Sequence, residues 1–129
     1  MKAIFISIFP KLIDSLTQNG VISRALEKTI INYEIINPID FLEKNERVDD
    51  KPYGGGPGML MRSDPLEKSV ILAKDKTHKK TKVIYLSPQG SNFSQKKSRE
   101  LSKEENLIFI CGRYEGIDQR IIDNYVDEE

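Results

Sequence analysis

Cysteine is almost absent: Cys111 is the only one in 129 residues. That excludes a disulfide framework and points to a reducing, cytoplasmic compartment. Histidine is as scarce, and His78 stands among lysines with nothing beside it to make a metal site. Net charge is absent too, with 20 basic and 20 acidic side chains summing to +0, so bulk electrostatics argue for no nucleic-acid partner. No apolar run approaches the roughly 20 residues that span a bilayer. The apolar opening, Met1 to Phe9, is too short for a leader and is closed by Pro10, Lys11 and Asp14, so it reads as a buried strand. That strand runs into Phe9-Pro10, which removes the usual Gly-x-Gly-x-x-Gly dinucleotide fingerprint. No repeat and no low-complexity tract is present.

What is there fits one domain with a real core. Residues 3–8 and 30–36 read as β-branched strands, and 82–87 and 107–111 as two more. Between them lie helical stretches: one from Pro10, with Leu12, Ile13 and Leu16 on one face, and one over 21–28, with Val21 and Ala25 inward. Asp64-Pro65-Leu66-Glu67 predicts a helix start, with Asp64 as cap and Glu67 completing a capping box. Ser94 caps a polar helix to about Lys103, and a last helix follows Ile117. Alternating strands and helices predict an α/β fold with a mostly parallel sheet flanked by helices, with ligands at the carboxyl ends of the strands.

Glycine is concentrated rather than spread. Gly54, Gly55, Gly56 and Gly58 are half of the eight glycines. Such a cluster costs much backbone entropy, and its usual reasons are close approach to a ligand or a loop that reshapes around one. No Gly-Lys-Ser/Thr follows, so it is not a phosphate loop. Two further loops, Leu86-Ser87-Pro88-Gln89-Gly90 and Gly112-Arg113-Tyr114-Glu115-Gly116, are either plain strand-to-helix turns or ligand-holding loops. In the second case Arg113 supplies a bidentate donor fork, Glu115 an acceptor and Tyr114 a stacking ring. Asp49-Asp50 is a solvated acidic turn, or else a proton acceptor or metal site, and the lysine run from Lys74 to Lys82 a solvated loop or a phosphate contact. Cys111, inside an apolar run, reads as a small core residue.

Three motifs carry a resemblance that covers essentially the whole chain. Pro-Tyr-Gly-Gly-Gly-Pro-Gly-Met-Leu-Met at 52–61, Tyr-Leu-Ser-Pro-Gln-Gly at 85–90 and Cys-Gly-Arg-Tyr-Glu-Gly-Ile-Asp at 111–118 resemble the signatures of bacterial tRNA (guanine-N1)-methyltransferases. The resemblance implies a SPOUT-like, trefoil-knot methyltransferase domain that works as a homodimer. It implies S-adenosylmethionine as cofactor, tRNA as partner and methyl transfer to N1 of the guanine 3′ of the anticodon, position 37. It places Tyr85, Leu86, Pro88, Gly90, Gly112 and Tyr114 at the cofactor. It places Arg113 and Glu115 at the target guanine in supporting catalytic roles, with Glu115 helping to place a divalent ion, Mg2+. Asp49, Pro57 and Gly58 would lie near the guanine and its neighbours.

The resemblance also predicts incompleteness. Relatives continue past the position of Glu129 into a strand and a Ser-x-Gly-Asp-Tyr-x-Leu-Ser-Gly-Gly-Glu loop, which supplies the third cofactor wall and the threaded knot segment. Beyond lie the main catalytic base and a helical tRNA-binding domain. Residues 1–129 are therefore expected to be an incomplete N-terminal cofactor-binding domain, truncated before the knot, with the C-terminal domain absent. Ile117, Ile121, Ile122, Tyr125 and Val126 are expected to lie uncovered, and the last residues to form half of an unpaired strand. The alternative function is a non-catalytic remnant that binds cofactor or RNA weakly.

Overall fold

The computed structural model describes residues 1–77 and 80–129, so His78 and Lys79 lie outside the described residues. Four parallel strands form the sheet: β1 (Lys2–Ile6), β2 (Asn32–Ile36), β5 (Thr81–Tyr85) and β6 (Asn106–Ile110), in the order β2-β1-β6-β5. Two short antiparallel strands, β3 (Asp49–Asp50) and β4 (Leu60–Met61), bracket the glycine loop. Helices α1 (Pro10–Thr17) and α2 (Gly20–Glu27) connect β1 to β2. Helix α3 (Ser63–Asp75) precedes β5, α4 (Gln95–Leu101) joins β5 to β6, and α5 (Gln119–Tyr125) follows β6.

Period-two alternation divides the strand residues between two cores. On one face Ile4, Ile6, Val83, Ile108 and Ile110 pack under Leu66, Val70 and Ala73 of α3 and Ile121 of α5. On the other, Ile84 and Leu107 meet Leu101 of α4, with Phe109 packed against them and stacked on Phe5 at 5.3 Å between ring centres. Each fully buried Ile contributes about 1.5–3 kcal/mol relative to an exposed one.

The mostly parallel α/β expectation holds, while three local expectations are overturned. Leu12 and Leu16 of α1 and Val21 of α2 are exposed, Val21 by 80%. The two helices pack on each other, α1 also packs on edge strand β2, and no residue of either is fully covered. Asp64 does not cap α3: the helix starts at Ser63, and Arg62 holds the Asp64 carboxylate through Nε at 2.9 Å and Nη2 at 2.8 Å. Glu67 instead accepts from the Tyr125 hydroxyl. Ser94 does cap α4, accepting from the Lys97 N–H at 3.2 Å.

The third correction concerns residues 117–129. Ile117 and Ile121 are buried in the main core, and Ile122, Tyr125 and Val126 pack against it. Residues 127–129 do not stand unpaired either. They run parallel along the outer edge of β5, where Asp127 N–H donates to Val83 O at 2.9 Å and Tyr85 N–H to Glu128 O at 3.0 Å. An open strand edge leaves backbone groups unsatisfied, and this segment satisfies those of β5. Glu128 adds ion pairs to Lys82 of β5, at 3.1 Å, and to Lys97 of α4.

Candidate cofactor and guanine site

Two of the three glycine-bearing loops, 54–58 and 112–116, meet each other. Their junctions are backbone hydrogen bonds: Glu115 N–H to Met59 O at 3.0 Å, Met61 N–H to Gly116 O at 3.0 Å and Asp118 N–H to Met61 O at 3.2 Å. The glycine loop is thus laced to the loop after β6. Within it Gly54, Gly55, Gly56 and Gly58 all have positive φ, from 85° to 128°, which L side chains rarely adopt. Nothing lies within 4 Å of the Cβ positions of the first three, whereas at Gly58 the Glu115 stem fills that space. The cluster therefore serves a backbone path at Gly54–Gly56 and a close contact at Gly58.

Tyr85, Leu86, Pro88 and Gly90 line one cavity of about 350 Å³ at the carboxyl end of β5. Phe93 and Glu129 complete part of its wall. Gly90 must be small because a Cβ there would overlap the Glu129 backbone. Gly112 is not on the cavity wall. It stands behind Tyr85, where a Cβ would lie 2.9 Å from the ring carbon Cε2 and 3.0 Å from Oη. Tyr85 is buried, and that burial, aided by the Glu129 charge, raises its phenol against the pull of the Ile117 backbone N–H. Tyr114 is exposed and left-handed, with φ 62°, a strained conformation for a non-glycine residue that is common at binding sites.

Asp49 is not a solvated turn residue. It is 7% exposed, and Arg47 grips its carboxylate through Nε at 3.0 Å and Nη2 at 2.9 Å. That hydrogen bonding holds Asp49 below its ordinary value, so it is an anion already paired. Pro57 and Gly58 are exposed beside the Glu115 loop. Arg113 and Glu115 both point from exposed positions after β6. Arg113 makes no hydrogen bond or ion pair among the described residues, and its guanidinium carbon lies 5.6 Å from the centre of the Phe9 ring. Phe9 is a neighbour the sequence reading missed, although its place just past an apolar strand was a signal.

A larger cavity, about 550 Å³, lies between Asp50–Tyr53 and Arg62 and Arg120. Both arginines there are committed, Arg62 to Asp64 and Arg120 to Asp118. Members of the lysine run are likewise engaged: Lys76 pairs with Glu34 at 2.7 Å and Lys82 with Glu128. Cys111 is half-buried, and burial raises its thiol. Among the described residues no group of three or more His, Cys, Asp or Glu could hold a metal ion, and no helix is long and apolar enough to cross a membrane.

The arrangement agrees with comparison to known proteins. A tRNA (guanine-N(1)-)-methyltransferase of Aliivibrio fischeri strain MJ11 is 53% identical over 125 residues, covering 96% of this chain and 50% of that protein. One from Vibrio cholerae strain O395 is 52% identical over the same length, covering 96% and 51%. The chain thus spans about half the length of the curated relatives it matches. The crystal structure of the tRNA (m1G37) methyltransferase from Aquifex aeolicus superposes with a TM-score of 0.89 at 34% identity, over 100% of this chain and 58% of that one. The sequence pattern of the family described as tRNA (Guanine-1)-methyltransferase TrmD matches residues 1–129 from end to end, and the chain belongs to that family.

Proposed function

We propose that residues 1–129 act as the N-terminal, cofactor-binding part of an enzyme that methylates N1 of the guanine 3′ of the tRNA anticodon. The observation that carries this reading is the meeting of the 54–58 and 112–116 loops, with Glu115 seated on Gly58 and Gly112 packed behind Tyr85 at the end of β5. The β5-end cavity fits a nucleoside-like cofactor. Leu86, Pro88 and Phe93 offer apolar walls, and the 86–90 loop offers backbone donors and acceptors. When bound, S-adenosylmethionine supplies a methyl group already activated on its sulfonium, so the protein's work is mainly alignment, worth roughly 7–11 kcal/mol when complete.

In this reading Glu115 accepts from the N1–N2 edge of guanine, and Arg113 donates to O6 as charge moves there. Asp49 acts indirectly, holding β3 with Arg47 at the base of the glycine loop. The main proton acceptor lies in the part of the family that this chain does not span. Mg2+ near Glu115 would have one side chain of this chain as ligand, which is not a set. The exposed apolar side chains Leu12, Leu16, Val21 and Ile22 support a homodimer, with a second copy as their cover. A cytoplasmic setting suits the lone thiol and the tRNA substrate.

The test is calorimetric titration of this chain with S-adenosylhomocysteine, beside labelled methyl incorporation into unmodified tRNA. Binding lost in Gly90→Val supports the site. Binding without transfer supports the remnant alternative for this chain alone. No binding to a folded chain overturns the cofactor assignment.

A further inference from the structure

Adjacent strands β1 and β6 run parallel, with Ile6 opposite Ile110. Phe9 lies three residues past Ile6, and Arg113 three residues past Ile110. The register therefore delivers both to the same height beyond the sheet. Past this pair the connections diverge, one to β2 on the left and one past α5 to the β5 side. That divergence is a topological switch point, the place where open α/β sheets bind ligands.

Local bonds hold the backbone that carries both side chains. Ser7 is buried, its N–H donates to Ile36 O at 3.0 Å, and its Oγ accepts from the Phe9 N–H at 3.1 Å. Cys111 N–H donates to Ile6 O at 2.9 Å, anchoring the start of the arginine loop to β1 itself. Phe9 is 48% exposed, and the Arg113 guanidinium sits over its ring. An aromatic face attracts the cation while leaving the in-plane N–H groups unused. Here those groups have no acceptor among the described residues.

We propose that Phe9 is a positioning residue, whose ring holds the Arg113 guanidinium at the β1–β6 crevice with its donor fork free for the acceptors of a guanine or phosphate. This rests on the reading of Arg113 as a guanine-side residue. The ring does not touch substrate; it limits the orientations the arginine must lose when substrate arrives.

Two measurements on this chain test it. In the NMR spectrum the Arg113 Nε–Hε resonance is expected to carry an upfield ring-current shift, lost in Phe9→Leu and kept in Phe9→Tyr. An unchanged resonance in a folded Phe9→Leu overturns the proposal. The second is the affinity for an anticodon stem–loop RNA with an unmodified guanine 3′ of the anticodon. Phe9→Leu should weaken binding roughly two- to fivefold, the size of an exposed cation–π contact. In an Arg113→Ala background the same change should cost nothing. An equal loss in both backgrounds overturns the proposal. If the chain binds no such RNA, the guanine-side reading fails, and the resonance alone decides whether Phe9 holds the arginine.

Discussion

The Glu115 side chain lies over Gly58 so closely that a Cβ on Gly58 would overlap its Cγ. Gly55 has nearly the same φ, 86° against 85°, with open space around it. The two therefore separate backbone strain from side-chain contact. Gly55→Ala and Gly58→Ala should each lose about 1–2 kcal/mol for placing a Cβ in the left-handed region. Only Gly58→Ala should also displace Glu115. In the full-length enzyme of the proposal it should cut methyl transfer about 10- to 100-fold, since a misplacement of one ångström reaches that size. Equal rates in the two variants, with denaturant melts alike, would remove Glu115 from the reaction.

Gly112 permits a parallel prediction. Its φ is not positive, so backbone freedom is not the reason for glycine here. The reason is the Tyr85 ring against it. Gly112→Val should displace that ring, and with it the end of β5 that lines the cavity, and weaken S-adenosylhomocysteine binding while the sheet stays folded. Tyr85→Leu should restore part of the loss in the double variant. Calorimetry beside a thermal melt decides. An affinity unchanged for the folded fraction would show that the ring yields elsewhere.

Glu34 of β2 joins two lysines, Lys2 of β1 at 2.6 Å and Lys76 at the end of α3 at 2.7 Å. The hydrogen bond from Lys2, then that from Lys76, hold its carboxyl below the usual 4.5, with burial opposing. The folded value is thus below the unfolded one. The contribution is present above about pH 4.5 and is lost as pH falls through the folded value. More than a third of the side chain is exposed, so the contribution is at most about 1 kcal/mol and shrinks with salt. Urea melts should show Glu34→Gln less stable than the parent at pH 7 and equal to it near pH 2. A gap that survives at pH 2 would assign the effect to packing.

Thr29 ends α2 in the left-handed region, at φ 54°. Its N–H donates to Leu26 O at 2.9 Å and that of Ile30 to Ala25 O at 2.9 Å, the paired bonds of a Schellman turn. A β-branched residue there is strained by roughly 1–2 kcal/mol. Thr29→Gly should therefore stabilise the chain by about 1 kcal/mol, less glycine's added unfolded-state entropy. A lower melting temperature would mean the Thr29 side chain makes a contact worth more than the strain.

Strands and loops were legible because their signals are local. Apolar runs such as Leu107–Ile110 and breakers such as Pro88-Gln89-Gly90 mark them without knowledge of the rest of the chain. The burial of Ile117 and Ile121 was not legible, because it depends on which face of the sheet α5 covers. The same holds for Asp64. Its capping pattern is sound, but Arg62 two residues earlier offered a stronger charged partner. The cavity residues Tyr85, Leu86, Pro88 and Gly90 were readable as one run; the support of Tyr85 by Gly112 and of Arg113 by Phe9 depends on strand order, which no local pattern states.

Strand order also sets a timetable. β1 is central, yet only one of its neighbours follows closely: Lys2 faces Asn32 on one side and Asn106 on the other. At about 5–20 residues per second, a ribosome delivers β6 roughly 4–15 seconds after β2. Through that interval β1 has one open edge, and the chain between the two strands must stay loose enough for a late, distant closure. The crevice that holds Phe9 and Arg113 comes into being only at that closure, so the site is among the last features of this fold to form.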